Sequence, residues 1–198
     1  MSLLFTRRFL LLAPFAAADL NDWVAADGSA FPSASWQLED GCLKAIGGLA
    51  TFQDIKTRKL YDDFVFSFEF KLLRAGNSGV KYQIEKWDRW QPKGMEGFHI
   101  RARGPEMQLS DDAANEDALK SPVKQCGALY NFIAPSHPAR VQVGEFTAAR
   151  IVKRGLDVEH WIGGERLVSY RLAGSKASAI ALQHHACDVW FRNIKIIG

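Results

Sequence analysis

Between residues 64 and 72, Phe64, Phe66, Phe68 and Phe70 alternate with Val65, Ser67, Glu69 and Lys71. A period of two places all four rings on one side of an extended chain, whereas a helix would scatter them around its surface. This segment is predicted to be a strand with its aromatic face in a core. The same alternation returns at 80–85, where Val80, Tyr82 and Ile84 oppose Lys81, Gln83 and Glu85, after a turn-forming cluster at 75–79. Further strands are predicted at 42–46 between two glycine turns, at 98–102, at 106–110, and at 127–133 before Pro135. The polar, alanine-rich stretch 111–120 reads as a short helix or a flap ended by Ser121-Pro122. Segments 149–153, 156–162 and 166–170 form a meander turned at Arg154-Gly155 and Gly163-Gly164, and strands at 180–185 and 189–197 complete the set. About ten to twelve short strands with almost no helical periodicity predict an all-β fold of two packed antiparallel sheets.

Overlying the core pattern is a polar one. Glu106, Gln108, Asp111, Tyr130, Gln183, His185 and Arg192 fall in segments that otherwise read as buried strands. A strand that is apolar on one side and carries carboxylate, amide, imidazole and guanidinium on the other suits a polyhydroxylated ligand. That directs attention to sugars.

Composition narrows the class. The chain has 198 residues and a mass of 22.1 kDa, enough for one β-sandwich domain. With 47% hydrophobic and 24% charged residues it is neither disordered nor fibrous. The formal net charge of +3 includes Arg7 and Arg8, so the rest of the chain has no electrostatic footprint for nucleic acid. Those arginines precede the apolar run Phe9-Leu10-Leu11-Leu12 and the small residues leading to Ala18, the layout of an export signal. The Thr6-Arg7-Arg8-Phe9-Leu10-Leu11 stretch also fits a twin-arginine signal. Residues 1–18 are therefore expected to be removed on export, leaving 19–198 as a single domain in the periplasm or outside the cell. The apolar run is too short to span a bilayer, so no stable membrane insertion is expected after cleavage. Cys42, Cys126 and Cys187 form no framework or zinc motif; if one bridge forms, Cys126 with Cys187 is the expected pair.

Several stretches in order resemble a known family. They include Asp19-Leu20-Asn21-Asp22-Trp23, Gly76-Asn77-Ser78-Gly79-Val80, Glu106-Met107-Gln108-Leu109-Ser110-Asp111-Asp112, Gly127-Ala128-Leu129-Tyr130, Val158-Glu159-His160-Trp161 and Trp190-Phe191-Arg192-Asn193. Together they resemble the exported bacterial 3-keto-disaccharide hydrolases, also described as 3-keto-glucoside lyase/hydratase domains. The resemblance implies a concanavalin A-like jelly-roll sandwich whose concave sheet holds a glycoside already oxidised at C3. One departure bears on chemistry: the family's Gln-Asp-His-Gly stands here as Gln183-His184-His185-Ala186, an imidazole replacing the acid beside the candidate base.

A ketone at C3 acidifies the C2 proton and lies β to the C1 substituent. Removing that proton gives an enolate, and the aglycone then leaves from C1. This chemistry needs one near-neutral base, donors for the enolate oxygen and groups that grip hydroxyls. His185 is the preferred base, because unperturbed imidazole titrates near pH ~6.5. Glu106 and Asp111 are the accompanying catalytic candidates, as alternate base, as orienting acid, or as ligands of a divalent cation polarising the ketone. Glu69, Lys71, Gln108, Tyr130, Gln183 and Arg192 are the candidate substrate-binding residues. Each has a plainer reading beside it: a hydrogen-bonded structural histidine, surface acids beside a loop, an arginine paired with a carboxylate, a packed tyrosine. His184 should face away from His185, since adjacent residues on a strand point oppositely. An alternative function is a non-catalytic, lectin-like carbohydrate-binding module on the same fold. A conventional glycosidase would instead require two carboxylates about 5 to 10 Å apart.

Overall fold

The alternating phenylalanines do build the centre of the molecule. The computed structural model describes residues 19–91 and 98–198; the expected export segment at 1–18 and most of the loop expected around Pro92 lie outside the described residues. In chain order the strands are β1 (Trp23–Ala25), β2 (Trp36–Glu39), β3 (Cys42–Ala45), β4 (Ile55–Thr57), β5 (Phe64–Leu72), β6 (Asn77–Lys81), β7 (Lys86–Trp90), β8 (His99–Arg103) and β9 (Glu106–Ser110). A short helix, α1 (Glu116–Lys120), follows, and then β10 (Thr147–Arg154), β11 (Asp157–Ile162), β12 (Glu165–Arg171), β13 (Ala181–Leu182) and β14 (Val189–Ile197).

The strands form a five-stranded sheet in the order β1-β4-β13-β6-β9 and a seven-stranded sheet in the order β12-β11-β10-β5-β14-β3-β2, each antiparallel throughout. This is a jelly-roll sandwich. Strand β5 lies between β10 and β14, and its Phe64, Phe66, Phe68, Phe70 and Leu72 are all buried. Phe66 and Phe68 stack at 4.9 Å between ring centroids, and Phe191 of β14 meets Trp36 of β2 at 6.1 Å. From the five-stranded sheet Val80, Met107, Leu109 and Leu182 join the same core. Burying each such side chain contributes roughly 1.5–3 kcal/mol, so this shared layer is what holds the sheets face to face. Among the described residues no helix is long and apolar enough to cross a membrane.

The structure corrects four local expectations. The turn lies earlier than 75–79: Gly76 N–H donates to Leu73 O at 2.9 Å and Ala75 takes φ 59°, which frees Asn77, Ser78 and Gly79 to pair in β6. The strand expected over 80–85 ends at Lys81, because Gln83 adopts φ 47° and inverts the alternation. Val80 and Tyr82 enter the main core, while Ile84 packs outside it with Ala102, Ala181 and Trp87. Segment 127–133 is a chain of tight turns with isolated bridges at Leu129, since Gly127 (φ 85°) and Asn131 (φ 66°) break the extended path. Cys126 and Cys187 do not bridge; all three cysteines are free, and the Cys187 thiol donates to Asn77 O at 2.9 Å.

Candidate active-site cleft

Alternation on the five-stranded sheet sends Val80, Met107, Leu109 and Leu182 inward, and the residues between them to the opposite face. There Asn77 and Lys81 of β6, Glu106 and Gln108 of β9, and Gln183 and His185 beyond β13 line one cavity of about 720 Å³. The β7–β8 ribbon contributes Arg101, and the turn after Leu129 contributes Tyr130. Gln183 N–H donates to Gly79 O at 2.9 Å, which continues the sheet beyond β13 and carries His185 to the cavity wall.

The floor is polar and held internally. Glu106 Oε2 lies 2.9 Å from Lys81 Nζ, with both side chains about one-tenth exposed, and the ammonium also donates to Ala102 O at 3.2 Å. Register places Lys81 opposite Glu106 and Gly79 opposite Gln108. Gly79 is required there, because a Cβ would stand 3.0 Å from the Glu106 Cγ and Cδ atoms and collide with Oε1. Gln108 Nε2 donates to Asn77 Oδ1 at 2.9 Å, and both residues line the cavity.

His185 is mostly enclosed. Burial, helped by the positive charge of Arg101 and by His184 and His99, pushes its pKa down to about 4. It is thus neutral at pH 7 and able to accept a proton, but in the resting cleft it is a weaker base than the near-neutral imidazole expected from the sequence. Among the described residues, neither ring nitrogen is engaged in a hydrogen bond. His184, as expected, points the other way: Nε2–H donates to Ser35 O at 3.2 Å, Nδ1 accepts from Ala186 N–H at 3.1 Å, and the ring stacks on Phe52 at 4.6 Å. Those two bonds fix its neutral tautomer, so His184 is part of the wall. Burial raises the Tyr130 phenol against the opposing influence of Lys124, keeping it a protonated donor at the cavity edge.

Glu106, Gln108, Tyr130, Gln183 and His185 are therefore brought together. Asp111, Glu69, Lys71 and Arg192 are not. Asp111 is buried at the end of β9, where Oδ2 accepts from Ala75 N–H at 2.8 Å and Oδ1 from Ala113 N–H at 3.2 Å, tying down the turn before β6. Glu69 accepts from Arg192 Nε at 2.7 Å and from Asn193 Nδ2 at 2.9 Å, while Lys71 lies 4.1 Å over the Trp190 ring. These residues belong to β5 and β14 of the seven-stranded sheet, so the alternation that frees them from the core aims them at the opposite surface of the sandwich.

Sequence reasoning overlooked Lys81 and Arg101 as cleft residues, and Asp54 as a support behind the His184 wall. Asp54, fully buried beside β4, accepts from His184 N–H at 2.8 Å through Oδ1, while Oδ2 has no partner among the described residues. Burial raises its pKa to about 6 against the attraction of Arg101 and Lys81. The signal for Lys81 and Arg101 was available: each is the polar member of an apolar alternation. A divalent cation does not fit. Glu106 is held by Lys81 and Asp111 by backbone amides, and among the described residues no three His, Cys, Asp or Glu side chains converge to hold a metal.

A two-sheet jelly roll with a polar cleft on one sheet is a fold that a carbohydrate-binding module also adopts. One such module, CBM66 from Bacillus subtilis, superposes with a TM-score of 0.53 over 89% of this chain and 96% of its own, at 8% identity, a likeness of fold alone. Residues 14–197 match the 3-keto-alpha-glucoside-1,2-lyase-like domain, and the chain belongs to that family. A 3-keto-disaccharide hydrolase of Bacteroides thetaiotaomicron is 28% identical over 224 aligned residues, covering 92% of this chain and 76% of the relative. A solved structure from Parabacteroides distasonis, provisionally assigned as a glycosyl hydrolase, gives a TM-score of 0.72 at 25% identity over 92% of this chain and 91% of that one.

Proposed function

We propose that this protein is an exported carbohydrate-active enzyme that cleaves 3-keto-glycosides by elimination followed by hydration. The observation carrying this reading is His185, a neutral imidazole without a hydrogen-bond partner among the described residues, on the wall of a polar cleft in a chain of this family. His185 takes the C2 proton as the C2–H electron pair forms the C2–C3 double bond of an enolate. Return of the C3 carbonyl expels the C1 oxygen and leaves a 2-hydroxy-3-keto-glucal. A proton delivered to the leaving oxygen, from His185 or through Tyr130, completes the elimination, and water added across C1 and C2 gives the 3-keto sugar. The Lys81–Glu106 pair and the amides of Gln108 and Gln183 grip hydroxyls. An acid neutralised by a lysine 2.9 Å away supports this route over one built on paired carboxylates. Export rests on the arginine-led apolar segment at the N-terminus.

The test is turnover of a 3-keto-glucoside beside its unoxidised parent. Cleavage of the first alone, and loss of about 10²-fold or more in rate for His185→Ala, are the expected results. Undiminished turnover by that variant would remove His185 from the mechanism. Saturable glycan binding without product would make the protein a binding module.

A further inference from the structure

Among the described residues four cations line the cleft, and three are already matched. Lys81 pairs with Glu106 at 2.9 Å, Arg103 with Asp88 at 2.8 Å and Arg171 with Asp157 at 2.8 Å. Arg101 differs. It stands on β8 between Ile100 and the buried Ala102, its guanidinium carbon 4.0 Å over the Trp90 ring. Among the described residues its buried Nε and Nη2 atoms have no hydrogen-bond partner, and no carboxylate forms an ion pair with it. Buried guanidinium donors without acceptors are unfavourable, and stacking on an indole compensates the charge without satisfying the N–H groups. A site that tolerates this in its resting state is preorganised for an acceptor that arrives later.

We propose that Arg101 is a catalytic residue that receives the C3 oxygen of the substrate, donating to it as a carbonyl and more strongly as the enolate. This rests on the reading given under Proposed function. As the C2–H bond breaks, the proton goes to His185 and the electron pair ends as negative charge on the C3 oxygen. A planar guanidinium offers that oxygen a pair of donors in fixed geometry. The charge of Arg101 also acts on His185 itself, in the same direction as His184 and His99 and against Asp117. In the resting cleft it adds to burial in keeping the imidazole neutral. Once the enolate forms, its negative charge offsets Arg101 and stabilises the imidazolium being made. Arg101 thereby couples the two halves of the proton transfer.

The experiment compares wild type, Arg101→Gln and Arg101→Lys on a 3-keto-glucoside, with Arg101→Ala assayed in the presence and absence of guanidinium chloride at non-denaturing concentration. A loss of about 10²–10³-fold in kcat with a much smaller change in KM is expected for Arg101→Gln, the size found when one oxyanion donor is removed. Arg101→Lys should recover little, because an ammonium cannot reproduce the fork. Guanidinium should restore part of the Arg101→Ala rate, and the acid limb of the Arg101→Gln profile in kcat/KM should move to higher pH. A folded Arg101→Gln enzyme with kcat within about threefold of wild type, or a loss confined to KM, overturns the assignment while leaving the proposed reaction standing. If Arg101→Gln fails to fold, absence of rescue in a folded Arg101→Ala overturns it instead. Inactive wild-type protein on every 3-keto-glucoside overturns the reaction and this role with it.

Discussion

The carboxylate of Glu106 occupies the space that a side chain on Gly79 would fill: a Cβ there would lie 3.0 Å from Glu106 Cδ and nearer still to Oε1. The backbone of β6 at this position is ordinary, so the need for glycine is one of room and not of a left-handed conformation. Gly79→Ala is expected to displace Glu106 from Lys81, lowering stability by about 1–3 kcal/mol and slowing turnover. Urea unfolding and steady-state kinetics on the same preparation check both effects.

Lys81 and Glu106 form a nearly buried pair, in which loss of one partner strands the other's charge. Lys81→Met or Glu106→Gln alone is expected to cost about 3–5 kcal/mol, and the double variant considerably less than the sum of the two. A double-mutant cycle by chemical denaturation measures the coupling. Additive losses would mean that the two groups act independently.

Four histidines carry pKa values lowered to about 4 by burial: His99, His160, His184 and His185. A group whose folded pKa lies below its unfolded value of ~6.5 is protonated preferentially in the unfolded chain, so its effect is to weaken the fold as pH falls from about 6.5 towards 4. For each of the fully buried rings His160 and His184 the loss is of order 3 kcal/mol by pH 4. Asp54, raised to about 6, acts in the opposite sense and offsets part of it between about pH 4 and 6. A steep fall in unfolding free energy between pH 6.5 and 4.5 is therefore expected, read as a falling midpoint in urea. His160→Gln should flatten that slope, since the ring bonded to Tyr82 at 2.6 Å and to Gly127 O at 3.0 Å no longer titrates.

The thiols offer a separate check. Cys126 is buried, and burial drives its pKa far up, so it should resist a thiol reagent in the native protein. Three free thiols are expected on titration in denaturant without reductant. A count of one would indicate a bridge and a different packing around Asn77.

Much of this was readable from spacing. The Phe64 to Phe70 alternation identified β5 at its observed bounds, and Arg154-Gly155 and Gly163-Gly164 marked the turns of the β10–β11–β12 meander. Glu106, Gln108, Gln183 and His185 were recognisable as polar members of buried strands. Alternation tells which side chains leave the core, but a sandwich has two outer faces, and local pattern does not say which sheet a strand joins. Glu69, Lys71 and Arg192 were separated from His185 for that reason. Arg101 shows the same alternation, but its strand pairs in a ribbon outside both sheets, and local pattern does not reveal that this ribbon borders the cleft.

That ribbon leaves the sandwich through Gln83, whose left-handed backbone ends β6, and returns where Tyr82 N–H meets Pro105 O at 3.2 Å. Its apolar footing is small: Ile84, Ala102 and Trp87 against Ala181. The roof of the cleft is thus an appendage whose redesign leaves the hydrophobic layer beneath untouched. Changes at its exposed positions can reshape the mouth of the cleft while Arg101 and the folding of the scaffold stay as they were.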